Sequence, residues 1–590
     1  MARIVIDPVT RAGGNLRVEF TRAGSVIDDA WVSGMSFRGI ELALAGRDPR
    51  DAWTLAERIC GTCSGVHALA SVRAVENALG IRIPVNARII RNLLAGTLLV
   101  RDHVMSLYLG QLADFVDLKS ATAADPAAAA ALAAKQADRP NATAADFATV
   151  RDRIAAEIDS SHPSVIGNGW WGHPAYRLAP EQNLLLAAHM LEALDWQREF
   201  MRLHALLGGK DPHPQTYLVG GMAVTPPWGG PTGTAGRDHP QVPDRNAPEP
   251  LSSEGFAFME GLVKTGRDFV TQVFAPDVAL LAGAYSDWVE LGVGPGGYLS
   301  AGEYPANDAS PPELLFPTGR LDDGNLEASQ PVADGEFTEA VGSSWYRYQA
   351  GADTLLGGGS GETAPAWPGL PLPLTTLDGA AAYSWVKSAR YRGVPMEVGP
   401  LARVLVGVAN GREDIVQTLA TALDPLNLQV DKLPGVIGRL VARSVEADVV
   451  IGHAAIWLSD LKANLATGDL AVADVTSWDP ESWPAEAHGF SLGEGPRGAV
   501  GHWVTIRDKV VADYQVIDAS TWNLAPRDVT GSRGPLEAAL RNTPVADAKR
   551  PLEALRVVHS FAPCAGCAAH TFGPRRDTPA ERTARPEATR

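Results

Sequence analysis

The chain holds only four cysteines, and they form two C-x-x-C pairs near its opposite ends: Cys60 and Cys63 in "RICGTCSGVH", residues 58–67, and Cys564 and Cys567 in "HSFAPCAGCAAH", residues 559–570. Four thiols in 590 residues are far too few to staple a secreted scaffold, so this pattern points to metal binding or redox chemistry. If the pairs meet, segments about five hundred residues apart must converge, and a metal between them would tie the two ends of the fold together.

Spacing alone leaves several chemistries open. A structural zinc site is one, although zinc ribbons usually bring their pairs within roughly 15 to 20 residues of each other. A thioredoxin-like redox pair is another, but neither pair sits in an evident strand-to-helix unit. Four thiolates from distant segments would also make a soft, electron-rich pocket suited to nickel, copper or iron. His67, four residues after Cys63, shares its face if a helix starts there, and its ring could then bond a thiolate sulfur. An ordinary structural histidine is the competing reading.

The rest of the chain narrows the class. Acidic residues number 68 against 51 basic ones, a net charge of −17 without long single-sign runs, which argues against nucleic acid or anionic membrane as the main partner. No apolar run approaches the roughly 18 to 20 residues of a membrane span; "PAAAAALAAK", residues 126–135, is too short. The start, "MARIVIDPVT", alternates like a strand and lacks the layout of a secretory signal.

Residues 1–37 read as short strands, with Ile4 and Ile6, then Leu16, Val18 and Phe20, spaced by two. Apolar positions recurring every three to four residues predict long helices over 91–119 and 180–209, the second opened by Pro180 and closed by Gly208 and Gly209. Weaker patterns cover 256–274 and 411–446. The expectation is an α+β fold, mainly α, with a long-helix bundle core and small peripheral sheets. Gly- and Pro-dense stretches at 224–250 and 357–374 read as surface excursions within one domain spanning 1–570. "GGGSGE", residues 357–362, lacks the lysine and hydroxyl of a phosphate loop, and no G-x-S-x-G element occurs.

The two cysteine segments, together with "WWGHPAYRLAPEQNLLLAAHMLEALDWQRE", "DPHPQTYLVGG", "ARYRGVPMEVGPLARVL", "PRGAVGHW" and "NTPVADAKRPLEALRVVHSF", resemble nickel-iron hydrogenase large subunits of the membrane-bound uptake group, in order over nearly the whole chain. The resemblance implies that fold and oxidation of H2, cleaved heterolytically at a Lewis-acidic metal pair while a nearby base takes the proton. Cys60 and Cys564 would be terminal nickel ligands, with Cys564 also the base. Cys63 and Cys567 would bridge nickel to an iron carrying carbon monoxide and cyanide. Arg497 would stand over the metals beside Pro496, with Asp102 as its neighbour, Ser520 would bond a cyanide, and His67 would support a thiolate. Glu41 and His570 would bind a magnesium or further iron ion, and residues 571–590 would be a maturation extension removed after His570.

The same resemblance implies partners. All four thiols are committed, so an iron-sulfur small subunit must carry electrons away and supply the export signal, placing the pair at a membrane, on the periplasmic face after co-export or in the cytoplasm without it. A maturation endopeptidase, nickel-insertion chaperones and a membrane cytochrome belong to the same picture. The chain also departs from the family. "TRAGGN" puts Gly13 where a proton-accepting glutamate belongs and Asn15 at a histidine, Ala562 replaces an aspartate and Ala519 a proline. Two functional classes follow: a catalytic subunit with an altered, slow proton path, or a hydrogen-sensing paralogue that keeps the metal pocket.

Overall fold

In a computed structural model the described residues are 3–160, 169–224, 248–309, 311–348, 354–355, 363–365, 377 and 381–568. Most of the long loops at 224–250 and 357–374, as well as His570 and the whole 571–590 extension, lie outside them.

The N-terminal strands form as the alternation requires. β1 (Ile4–Ile6), β2 (Leu16–Ala23) and β3 (Val26–Gly34) make an antiparallel sheet in that order, and Leu16, Val18 and Phe20 are fully buried on its inner face. Beyond it, α1 (Ser64–Leu79) starts directly after Cys63 and stops at Gly80, whose φ of 67° is the left-handed turn that ends a helix.

α2 (Val85–Met105) begins six residues before the predicted helix and ends earlier, because residues 106–111 loosen into a π-helical turn. α3 (Pro180–Phe200) has proline at its first turn, and a joint at Met201 separates it from a short helix over Arg202–Gly208. α4 (Ser253–Phe269) also passes into a π-helical turn, at 270–274. The weak pattern at 411–446 divides into α5 (Glu413–Leu423) and α6 (Val436–Ala466), parted by the helix-breaking Pro425 and Pro434.

α6 is the central rod, and α2, α4 and α5 pack against it. Its closest crossing is with α2, where a side chain at Gly96 would sit 2.9 Å from the Trp457 ring. Charged groups also lie inside this core. Arg403 is fully buried and pairs with Glu446 of α6 and with Glu494, each at 2.6 Å, while His103 of α2 bonds Glu446 at 2.7 Å.

A second antiparallel sheet closes the other side: β4 (Glu486–Gly495), β5 (Gly498–Arg507) and β6 (Val510–Ile517). α7 (Ala519–Asn523) follows β6 immediately, and α8 (Leu552–Ser560) leads into the second cysteine pair. No helix among the described residues is long and apolar enough to cross a membrane. Helices in the core with small sheets at the periphery match the expected class.

Candidate metal centre

The two cysteine pairs meet. Cys60 Sγ lies 4.0 Å from Cys564 Sγ and Cys63 Sγ lies 3.8 Å from Cys567 Sγ, across 504 positions of sequence in each case. Cys564 and Cys567 sulfurs stand 2.8 Å apart, well beyond the roughly 2.05 Å of a disulfide, and all four thiols are free and buried.

Local structure explains how each pair is presented. Cys63 caps α1, and its backbone N–H donates to Cys60 Sγ at 3.2 Å, folding the C-x-x-C turn around its own sulfur. The C-terminal pair is laid alongside the N-terminal segment instead. Gly13 N donates to Pro563 O at 3.0 Å and Gly566 N to Gly13 O at 3.1 Å, so the first and last described segments run side by side. Gly14 makes this approach feasible: with φ of 76°, any Cβ there would stand 2.4 Å from Gly566 N.

Four sulfurs at these separations cannot all carry negative charge without a cation. Hydrogen bonds from Cys564, Cys567 and Cys63 push the Cys60 thiol well below its ordinary range despite burial. The other three are driven up. For Cys567 the cause is its bonds to Cys564, Cys60 and Cys63 together with burial; for Cys63 and Cys564, the effect of Cys60 and burial outweighs a bond from Cys567 that acts downward. The bare cluster therefore favours a single thiolate, and a metal must supply the charge that frees the rest.

As donors the residues fit a bimetallic site. Cys60, Cys564 and Cys567 offer ligand atoms within 4.8 Å of one another, as do Cys63, His67 and Cys567, so two overlapping donor groups share Cys567. The Cys60–Cys564 and Cys63–Cys567 separations alone would also suit zinc, since tetrahedral bonds of about 2.3 Å give sulfur edges of roughly 3.8 Å, but the 2.8 Å between Cys564 and Cys567 is too short for such an edge.

Arg497 is set at the β4–β5 hairpin tip, where Gly399 permits tight backbone packing: with φ of 114°, a Cβ there would come within 2.6 Å of Arg497 O. Its guanidinium bonds Asp102 of α2 through Nη2 at 3.1 Å and Nε at 3.3 Å. Burial opposes its charge, yet Asp102 and then the sulfurs of Cys564, Cys63 and Cys60 hold it firmly protonated. Arg403 donates to the carbonyls of Gly495 at 2.8 Å and Pro496 at 3.1 Å, so the core ion pairs also brace this tip.

The other predicted residues fall into place unevenly. Ser520, on the first turn of α7, accepts a bond from Cys564 N at 3.2 Å, and Asp518 caps that turn by accepting from Thr521 N at 2.7 Å. His67 faces the sulfurs, but its described hydrogen bond runs from Nδ1 to His502 Nε2 at 3.1 Å, and His502 Nδ1 continues to Tyr514 Oη at 2.8 Å. Burial lowers both rings, His67 to about 4, so both are neutral. Glu41 is buried, accepts from Val516 N at 2.5 Å through Oε1, and leaves Oε2 without a partner. Burial raises its carboxyl far above the ordinary range.

Sequence reasoning missed His502, Arg403 and Glu446. His502 lay inside the quoted "PRGAVGHW" without a role, and the ion pair joins residues distant in sequence, for which one chain carries no local signal.

Comparison with known proteins settles the metal class. The family described as nickel-dependent hydrogenase matches residues 38–570. The uptake hydrogenase large subunit of Bradyrhizobium diazoefficiens is 41% identical over 97% of this chain and 96% of its own. The hydrogenase-1 large chain of Escherichia coli is 38% identical over 97% of this chain and 95% of its own. Among solved structures, the Ni-Fe-Se hydrogenase from D. vulgaris Hildenborough superposes with a TM-score of 0.73 at 30% identity, covering 96% of this chain and all of that one.

Proposed function

Because the chain belongs to the nickel-dependent hydrogenase family, we propose that it is the catalytic large subunit of a nickel-iron uptake hydrogenase, oxidising H2 and passing electrons to an iron-sulfur small subunit. The observation that carries this reading is the convergence of four buried sulfurs, contributed by both chain ends, beneath a guanidinium held by Asp102. The uptake and hydrogenase-1 relatives favour a catalytic role over a sensing one.

When bound, a nickel-iron pair supplies the Lewis acidity that polarises hydrogen for heterolytic cleavage. Cys60 and Cys564 would be ligands of nickel, and Cys63 and Cys567 would be ligands shared with an iron that would carry carbon monoxide and cyanide. Cys564 takes the proton at its Sγ. Arg497 places fixed positive charge near the sulfurs, oriented by Asp102. Ser520 and the Pro496–Arg497 tip would supply hydrogen-bonding groups for the iron's diatomic ligands; Glu41, with its free Oε2, would offer a carboxylate to a magnesium or additional iron ion, for which the resemblance names His570 as a second ligand.

Residues 1–570 would form the mature unit, and an endopeptidase would remove 571–590 once chaperones have delivered nickel. The subunit would reach a membrane through its partner, on the periplasmic face, with a cytochrome as electron acceptor. The test is infrared spectroscopy and metal analysis of the co-expressed heterodimer. Stoichiometric nickel, bands from iron-bound carbon monoxide and cyanide, and hydrogen-dependent dye reduction are expected. Zinc in place of nickel without those bands, or full nickel with no dye reduction, would reject the reading.

A further inference from the structure

Beside Cys564 lies a cavity of about 440 Å³ whose wall carries more positive charge than the proposed chemistry uses. Arg11, Arg101 and Arg497 all line it, together with Asp102, Gln197 and His559. Two of the guanidiniums are matched: Arg11 pairs with Asp114 at 2.6 Å and Arg497 with Asp102 at 3.1 Å. His559 is committed as well, to Asp114 at 2.6 Å and to the Thr10 carbonyl at 2.8 Å.

Arg101 is not matched. Among the described residues no carboxylate pairs with it. Its Nη1 reaches only the Thr62 carbonyl at 3.5 Å, and its buried Nε, like that of Arg11, bonds nothing. A half-buried guanidinium without a counter-charge has lost hydration and gained no compensation, so the cavity is built to gain from an anion. A planar carboxylate meets the guanidinium fork through two parallel bonds.

Shape and wall chemistry narrow the anion. Met105, Leu109, Ala562 and Pro563 give apolar wall, which favours a C–H or methyl group over a strongly hydrated dianion. At about 30 Å³ per water, the space holds one small organic anion and several waters. Gly13 belongs to both the cavity wall and the surroundings of the cluster: it lines the cavity, and a Cβ at that position would stand 2.8 Å from Cys564 Sγ.

We propose that this cavity binds a small monocarboxylate of formate or acetate size, with Arg101 as its principal contact. The bound carboxylate occupies the part of the cavity that Gly13, Ala562 and Pro563 line without a polar side chain. Its consequence for turnover rests on the hydrogenase reading, whereas the binding does not, so the test measures binding alone.

Carbon-13-labelled formate and acetate are titrated into the purified heterodimer and followed by NMR line broadening, with sulfate and methylammonium as comparison ions. Saturable binding in the millimolar range is expected for both carboxylates. Arg101→Gln should weaken it about tenfold or more, the loss of a charge-assisted pair. Arg101 is half-exposed, so this variant should retain its melting temperature and metal content. Gly13→Glu, whose own carboxylate fills the space, should weaken binding similarly. A titration that does not saturate, an affinity unchanged in Arg101→Gln, or sulfate binding as tightly as acetate would overturn the assignment.

Discussion

Gly13→Glu puts the absence of a base beside Cys564 to a quantitative test. Gly13 lies in ordinary left-side φ space, so a side chain brings no backbone strain, and the only obstacle is the neighbouring residue. The new Cβ would lie 2.8 Å from Cys564 Sγ, 3.3 Å from its Cα and 3.4 Å from its Cβ. Relief requires the sulfur to withdraw by about 0.6 Å to ordinary contact, a movement a metal-held sulfur resists. Gly13→Ala carries the same Cβ without the carboxylate and isolates this steric cost. A positioned general base contributes about 10²- to 10⁴-fold, or roughly 3 to 5 kcal/mol of barrier, which exceeds the cost of a shift of this size. Hydrogen-dependent dye reduction by the nickel-loaded heterodimer, in buffer free of small carboxylates, should therefore rank Gly13→Glu above the natural protein and Gly13→Ala at or below it. If Gly13→Glu is no faster than Gly13→Ala at equal nickel content, proton acceptance at this position does not limit turnover, and the reasoning fails.

Arg497→Lys should retain nickel but lose about 10²- to 10³-fold in turnover, because an ammonium cannot reproduce the two-point bond to Asp102 that aims the charge at the sulfurs; unchanged kcat would refute that role. Arg403→Met leaves Glu446 and Glu494 buried without their cation and should cost about 3 to 5 kcal/mol in denaturant unfolding, whereas a loss below about 1 kcal/mol would mean that the pairs contribute little. Burial raises the carboxyl of Glu537 to about 7 against the pull of Arg527 and the bonds from Tyr383 and Val32 N. Its folded state holds the proton more tightly than the unfolded chain, so this stability is complete below about pH 4 and is lost as pH rises through 7, some 3 kcal/mol in all. Glu537→Gln should flatten that part of the pH–stability curve, and an identical slope in both proteins would count against it.

The sequence was most informative where chemistry sits in residue type and least where it sits in distant pairing. Cys60, Cys63, Cys564 and Cys567 point to metal or redox chemistry by identity and spacing, with nickel and iron singled out by the family resemblance, and the strands of residues 1–37 are legible by alternation. Helix limits were less legible because the π-helical turns after Met105 and Phe269 keep an apolar rhythm while changing the backbone. α6 was read only as far as residue 446. Its first half is buried on nearly every side, so apolar positions there show little periodicity, and Arg439, Arg443 and Glu446 look like a solvated face although each is buried; beyond Ile451 the helix turns amphipathic, exposing Ile456, Asp460 and Lys462. His502 and Arg403 gain meaning only from residues they meet in space.

Where the departures fall separates two tasks that one site must perform. The sulfurs and the groups behind them, Ser520, His67 and Arg497 with Asp102, are all present and interlocked. Gly13 and Ala562 line the cavity beside Cys564, a wall that Arg497 and Asp102 share. Holding a metal pair requires fixed donors at fixed distances, and each ligand lost would leave buried sulfur charge without compensation. Moving a proton away requires only some acceptor in reach, and water or a bound anion can serve in place of a side chain. The thiol donors themselves therefore tolerate little change, whereas the positions around them, Gly13 and Ala562 at the cavity and Ala519 beside Ser520, can vary. Arg101, unmatched by any described carboxylate on that same wall, leaves the cavity a positive charge that an anion can meet.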